Sequence, residues 1–183
     1  MTGRTFWVIS FVLLVVASHL AYVLFGTRLD SQALFQDLAA VTGTNKLRAL
    51  SGLQARQLSS TSDGKLVHAV CAFDLSQGPI KLTAKFPDNY WSVNIYSLQG
   101  DVIYTLNDRQ ANIASLSIVI RTAAGGVEED SQAVPAPVGS KDIQVVANTT
   151  RGLAVLRSSF VHEKQRKRVA DTLNSSECGR VKS

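Results

Sequence analysis

Apolar positions are distributed in two different ways along this chain. From Phe6 to Phe25 they form one run of 20 residues without a formal charge, FWVISFVLLVVASHLAYVLF. At roughly 1.5 Å rise per residue such a helix is about 30 Å long, which matches the hydrocarbon core of a bilayer. Trp7 and Tyr22 lie near its two ends, where amphipathic rings prefer to sit, and Arg4 and Arg28 flank it. Small residues at Val15-Val16-Ala17 offer a cleavage point. A signal-peptide core is only about 7–15 residues long, however, and this run continues to Phe25, so the segment reads as an uncleaved signal-anchor. No cysteine follows it, which removes the lipoprotein reading. His19 lies within the run close enough to its end for a neutral imidazole to be tolerated.

After the run the pattern changes to short elements. Asp30 can cap a helix beginning at Ser31, in which Leu34, Leu38 and Val41 recur at helical spacing before Gly43. Thr44 to Gly64, ending in Ser59-Ser60-Thr61-Ser62-Asp63-Gly64, reads as a loop or linker. Strand signals then follow at Leu66–Phe73, Ile80–Ala84, Tyr90–Ser97, Val102–Leu106, Leu116–Arg121, Ile143–Ala147 and Leu153–Val161. The stretch Tyr90–Ser97 places Trp91, Val93 and Ile95 on one face, and Tyr90, Asn94 and Tyr96 mostly on the other. It pairs back through Gln99-Gly100-Asp101 as a hairpin. Thr122 to Gly139 reads as an exposed loop whose charge run is Glu128, Glu129 and Asp130. Glu163 to Asn174 reads as a helix with Val169 and Leu173 on one side and a basic polar face.

The expected fold class is therefore mainly β: an antiparallel sandwich or jelly-roll-like domain with an N-terminal transmembrane helix and a C-terminal helix. Residues 1–28 form a cytoplasmic tip and the signal-anchor, 29–64 a juxtamembrane helix and linker, and 65–183 the β-rich domain. Composition agrees with a folded chain, at 45% apolar and 18% charged residues. The net charge of +5 is spread over Lys46, Arg48 and Arg56 and over Lys164, Arg166, Lys167 and Arg168, too thinly to imply nucleic acid. Two cysteines, Cys71 and Cys178, are expected to pair if the domain is exported, and their pairing in turn favours an oxidising compartment. The positive-inside count favours a cytoplasmic N-terminus by a small margin.

Chemistry is sparse. None of the metal-binding spacings of His and Cys occurs, no G-x-S-x-G elbow or phosphate loop is present, and no cofactor or metal is implied. Asp74, Asp88, Asp101 and Asp108 are candidates for acid-base work, but each adjoins a turn, which attracts Asp for its backbone hydrogen bonds. Asn148-Thr149-Thr150 and Asn174-Ser175-Ser176 match the glycosylation sequon, which matters only in a eukaryotic secretory pathway. The densest patch of aromatic and amide residues is Asp88 to Tyr96, followed by Asn107-Asp108-Arg109. Trp91, Tyr96, Asn107, Asp108 and Arg109 are its candidate ligand-binding residues, because rings stack on a sugar or headgroup and amides and guanidinium fix its orientation. The competing reading puts Trp91 and Tyr96 in the sandwich core and the Asn107–Arg109 stretch in a buried turn network, so that Arg109→Ala destabilises the domain.

Cys71, Phe73, Trp91-Ser92-Val93, Tyr96 and Asn107-Asp108-Arg109 occur in the order that resembles the short, membrane-anchored members of the bacterial domain-of-unknown-function family 1254. The chain is also similar to the sister family 1214, in which a W-S-V-x-x-Y strand precedes a turn and a D-R pair. The resemblance spans roughly Leu66 to Phe160. It implies a sandwich-like envelope protein of Gram-negative bacteria and no assigned reaction.

Three functions follow as expectations. The first is a non-catalytic protein of the inner membrane whose periplasmic β-domain binds a partner protein, such as a small anchored sister-family protein, or an envelope ligand. The second is an enzyme acting on an envelope glycan or lipid through Asp108, Arg109 and Tyr96. The third is a structural subunit of a membrane complex, packed through a small-residue face of the anchor at Ser10, Ala17, Ser18 and Ala21.

Overall fold

A computed structural model describes residues 3–52, 54–55, 65–111, 115–123, 133–134 and 142–181. The N-terminal run folds as helix α1, Gly3–Ala21, with none of its residues buried. It passes through a π-helical segment, Tyr22–Gly26, into α2, Thr27–Thr42. The expected start at Ser31 is thus displaced. Asp30 lies in the first turn of a helix that is already under way. Nothing between Tyr22 and Leu29 breaks helix, and a lone glycine costs only about 1 kcal/mol. Gly43 does end it, with φ of 81° and its N–H donating to the Ala39 carbonyl.

Two sheets follow. Sheet A has the order β1 (Leu47–Ala49), β2 (Leu66–Asp74), β9 (Arg151–Ser159), β4 (Trp91–Ser97) and β5 (Val102–Asn107). Sheet B has the order β10 (Glu177–Arg180), β3 (Ile80–Lys85), β6 (Ser115–Thr122), β8 (Ile143–Ala147) and β7 (Ala133–Val134). Every pair in sheet A is antiparallel, whereas β6 and β8 run parallel and make sheet B mixed. Two short helices of unequal weight complete the domain: α3, Asp108–Ala111, and α4, Glu163–Asn174.

The strands that alternate are where the pattern predicts them. Two of the edge strands, β1 and β10, fall instead in stretches expected to be linker and tail, because three or four residues are too few to show a period. Within the expected loop Thr122–Gly139, Ala133–Val134 forms β7. Glu128, Glu129 and Asp130, like the polar run Ser59–Gly64, lie outside the described residues.

The inner faces of both sheets meet in one core. Val67, Ala69, Cys71 and Phe73 of β2 face Ile80 and Leu82 of β3 and Ile118 and Ile120 of β6, all buried. Val169 and Leu173 of α4 close one side of it, as their spacing predicts. The Asn174 side chain ties the end of α4 to the sheet by accepting the Ala49 N–H at 2.8 Å. A smaller cluster forms on the outer face of sheet A, where Leu38 of α2 is buried against Val70, Ala72, Leu153 and Val155. Cys71 and Cys178 form a disulfide, with Cα atoms 6.4 Å apart. It joins β2 of one sheet to β10 of the other. At Gly152 on β9 a Cβ would run into the Tyr96 carbonyl oxygen and the Phe73 ring, so only glycine fits there.

Candidate functional site

The five candidate residues of the aromatic patch sit on the β4–β5 hairpin, and their faces separate them. Trp91 points inward with Val93 and Ile95 and is 3% exposed. Its ring stacks on Phe86 at 4.0 Å between centroids and 4° between planes. Trp91 is therefore a core residue, which is the competing reading of this side chain. Tyr96 points outward and packs against the small cluster under α2.

Asn107 stands opposite Ser92, at the far end of the hairpin from Tyr96, whose partner is Val102 near the turn. Four strand residues separate those ends, about 13 Å. Asn107 and Gln110 exchange bonds: the Asn107 N–H donates to Gln110 Oε1, and the Gln110 N–H donates to Asn107 Oδ1. This reciprocal pair starts α3. Asp108 opens that helix with one carboxyl oxygen buried and unpartnered. Arg109 is exposed, which corrects the expectation that it lies in a buried turn network. The structure does not bring Tyr96 together with Asp108 and Arg109, so the grouping on which the enzyme reading depends is not assembled.

What the fold does assemble is a row across the outer face of sheet A. His68 on β2 is opposite Arg157 on β9, Arg157 is opposite Ser92 on β4, and Ser92 is opposite Asn107 on β5. In the next row, Thr105 Oγ1 donates to Asn94 Oδ1 at 2.7 Å. His68 is 1% exposed, and neither ring nitrogen has a hydrogen-bond partner. Burial, and then the charge of Arg157, hold its pKa below the ordinary 6.5, so the imidazole is neutral near pH 7. Arg157 Nε is likewise buried and unpartnered.

Arg157 also lines a cavity of about 260 Å³ between α2 and sheet A. Ser31, Leu34 and Phe35 form the helix side. Tyr96, Leu153 and Val155 join Arg157 on the sheet side, and Gly100 in the hairpin turn closes one end. Gly100 has φ of 92° and lies so close to the Ser31 hydroxyl that a Cβ would be 2.9 Å from it. The helix that leaves the apolar run thus forms one wall of the cavity, and one cation is set among apolar groups. Of the candidate residues, Tyr96 alone lies on it. Sequence reasoning missed Arg157. The available signal was a guanidinium directly after the apolar run LAVL, at the outward step of the strand's alternation. Among the described residues no group of three or more His, Cys, Asp or Glu is placed to hold a metal ion.

A second feature lies at the disulfide edge. Lys46, Arg48, Lys81 and Arg180 border an open groove between β1 and β10. Lys81 is engaged by Asp142 at 2.9 Å.

Comparison with known proteins adds the family and the fold. No curated protein matches. The VPA0106 protein from Vibrio parahaemolyticus, a crystal structure, is similar with a TM-score of 0.57 at 10% identity. The match covers 83% of this chain and 35% of that one. An uncharacterized protein from Burkholderia cenocepacia matches with a TM-score of 0.46 at 16% identity, covering 68% of this chain and 34% of that one. The chain thus spans about a third of the length of these solved relatives. A family model described as a protein of unknown function matches residues 44–178, from just after α2 to the second cysteine, and the chain belongs to that family, DUF1254.

Proposed function

We propose that this chain is a single-pass protein of the inner membrane whose β-domain stands in the periplasm and binds an envelope ligand in the cavity between α2 and sheet A. One observation carries the reading: an exposed apolar helix, Gly3–Leu24, with mean hydropathy 2.2, continues into the helix that walls a cavity in the folded domain. Exposed apolar area of that extent needs a nonaqueous environment. The disulfide supports export, since such bonds persist in oxidising compartments. A pocket lined mainly by apolar groups with a few convergent polar ones is the usual form of a ligand site.

The test has two parts. Fused at the C-terminus, alkaline phosphatase is expected to be active and a fluorescent protein that matures only in the cytosol to be dark. Native mass spectrometry of the chain released from membranes is then expected to show a bound small molecule. A bright cytosolic reporter would overturn the topology, and a chain free of adducts would overturn the ligand reading.

A partner protein is the second reading. It is favoured by the open groove between the edge strands β1 and β10, which Lys46, Arg48 and Arg180 border with positive charge. Crosslinking in intact envelopes followed by mass spectrometry is expected to return one reproducible partner under this reading.

A further inference from the structure

The geometry points to an amphiphile with a single anionic head, a carboxylate or phosphate on an apolar chain, as the ligand of the α2–sheet A cavity, with Arg157 binding the head. This rests on the ligand reading above and names its chemistry.

The first reason is the state of Arg157. A guanidinium is charged at every accessible pH. Arg157 is half-buried, and desolvating part of a guanidinium costs free energy unless an anion or an acceptor meets it. Among the described residues, the ion pairs are Lys81–Asp142, Arg151–Asp74 and Arg166–Glu163, and none involves Arg157. Its Nε–H is buried without an acceptor. A buried donor with nothing to donate to is rare in folded proteins and calls for an explanation.

The second reason is its neighbour. His68, only 1% exposed, also lacks a partner at both ring nitrogens, directly across the strand pair from Arg157. The sheet therefore holds two unsatisfied polar groups side by side; the other buried unpartnered side-chain atoms among the described residues are Asp108 Oδ1, Ser117 Oγ and Ser158 Oγ. Ser92, next in the row, accepts from Asn94 Nδ2 at 3.4 Å, which leaves its hydroxyl proton free to donate. Of this row only Arg157 lines the cavity, and an acceptor-only ligand head suits its donors. A cation or a second donor does not.

The third reason is the remainder of the lining. Leu34, Phe35, Leu153 and Val155 offer hydrocarbon contact on both walls. The volume of about 260 Å³ equals that of roughly nine liquid waters at about 30 Å³ each, enough for a head and a short stretch of chain. A free inorganic anion would leave those four side chains without a function in binding.

The test uses the full chain in nanodiscs of phosphatidylcholine, with the Arg157 Nε–H resonance identified as the signal lost in Arg157→Lys. Hexanoate, which has the proposed chemistry at the proposed size, is titrated against hexanol, which has the chain without the charge. The expected result is a saturable shift of the Arg157 signal by hexanoate, with hexanol binding at least about tenfold more weakly. Equal binding of the two would overturn the anionic head and leave the cavity as a ligand site. An Arg157 signal unmoved by hexanoate would also overturn it. The binding comparison is made on the wild-type chain, and the Arg157→Lys variant, which keeps the charge, serves only to assign the signal. Discs of phosphatidylglycerol separate the sources. A signal already in its shifted position without hexanoate makes the bilayer the source of the anion, and a signal that still waits for hexanoate makes it a free acid. Either position supports the anionic head.

Discussion

Cys71 on β2 and Cys178 on β10 are bonded across the two sheets, 107 residues apart in sequence. The bond closes most of the β-domain into a single loop. Chain-entropy arithmetic for a loop of that size gives about 4–5 kcal/mol. The double variant Cys71→Ala, Cys178→Ala is expected to unfold at markedly lower urea concentration than the wild type. Urea titration of the detergent-solubilised chain, followed by tryptophan fluorescence, measures the difference. A change below about 1 kcal/mol would mean that the sheets are held by packing alone.

Gly152 tests how closely β9 and β4 approach one another. Its Cα hydrogen occupies the space a methyl would need, against the Tyr96 carbonyl and the Phe73 ring. Gly152→Ala is expected to cost about 3 kcal/mol or more, at the upper end for overpacking. Gly179→Ala on β10, where nothing lies within 4 Å of the added Cβ, is the control and should stay within about 0.5 kcal/mol.

Trp91 and Arg109 should separate cleanly. Trp91 is buried and stacked on Phe86, so Trp91→Ala is expected to cost about 3–5 kcal/mol. Arg109 is exposed, and Arg109→Ala should change stability by less than about 0.5 kcal/mol. The midpoint of urea unfolding reports both. A large loss for Arg109→Ala would restore the buried turn network that the sequence suggested.

His68 makes stability depend on pH. Its folded pKa is lowered by burial and by Arg157, while in the unfolded chain it titrates near 6.5. Above that value neither state carries the proton and stability is flat. As pH falls below it, the unfolded chain takes up a proton that the folded chain refuses, and stability declines until the folded value is passed. The slope is at most about 1.4 kcal/mol per pH unit. His68→Phe should abolish this decline. A separate one sets in near 3.8, where the unfolded chain protonates carboxyls that stay ionised in the fold: Asp74 and Asp142, both lowered by hydrogen bonds and by Arg151 and Lys81 respectively. Unfolding midpoints measured between pH 7.5 and 3 resolve the two.

Much of this architecture could be read from the chain because it rests on local periodicity. The apolar run, the alternation of Trp91, Val93 and Ile95, and the pair Val169 and Leu173 each carry their burial in their spacing. The edge strands β1 and β10 could not be read, since they are too short to show a pattern and exist through their partners. The parallel pairing of β6 with β8 depends on a crossover, which spacing does not encode. The site was hidden for the same reason. Arg157 and His68 are 89 residues apart, and only the register of β2 on β9 makes them neighbours. Tyr96 was found because it shares a strand with the residues that drew attention, and Asn107 and Arg109 were included by that same proximity although they lie at the other end of the hairpin.

The uninterrupted winding from Gly3 to Thr42 has a mechanical consequence. Forty helical residues, five of them in the π-helical segment, form a continuous path that transmits tilt where a loop would absorb it. If the first half lies in a bilayer, leaning of that half swings the second half, whose Leu34 and Phe35 are one wall of the cavity. Lipid thickness, which sets how far a spanning helix leans, would then adjust the width of a slot several turns away.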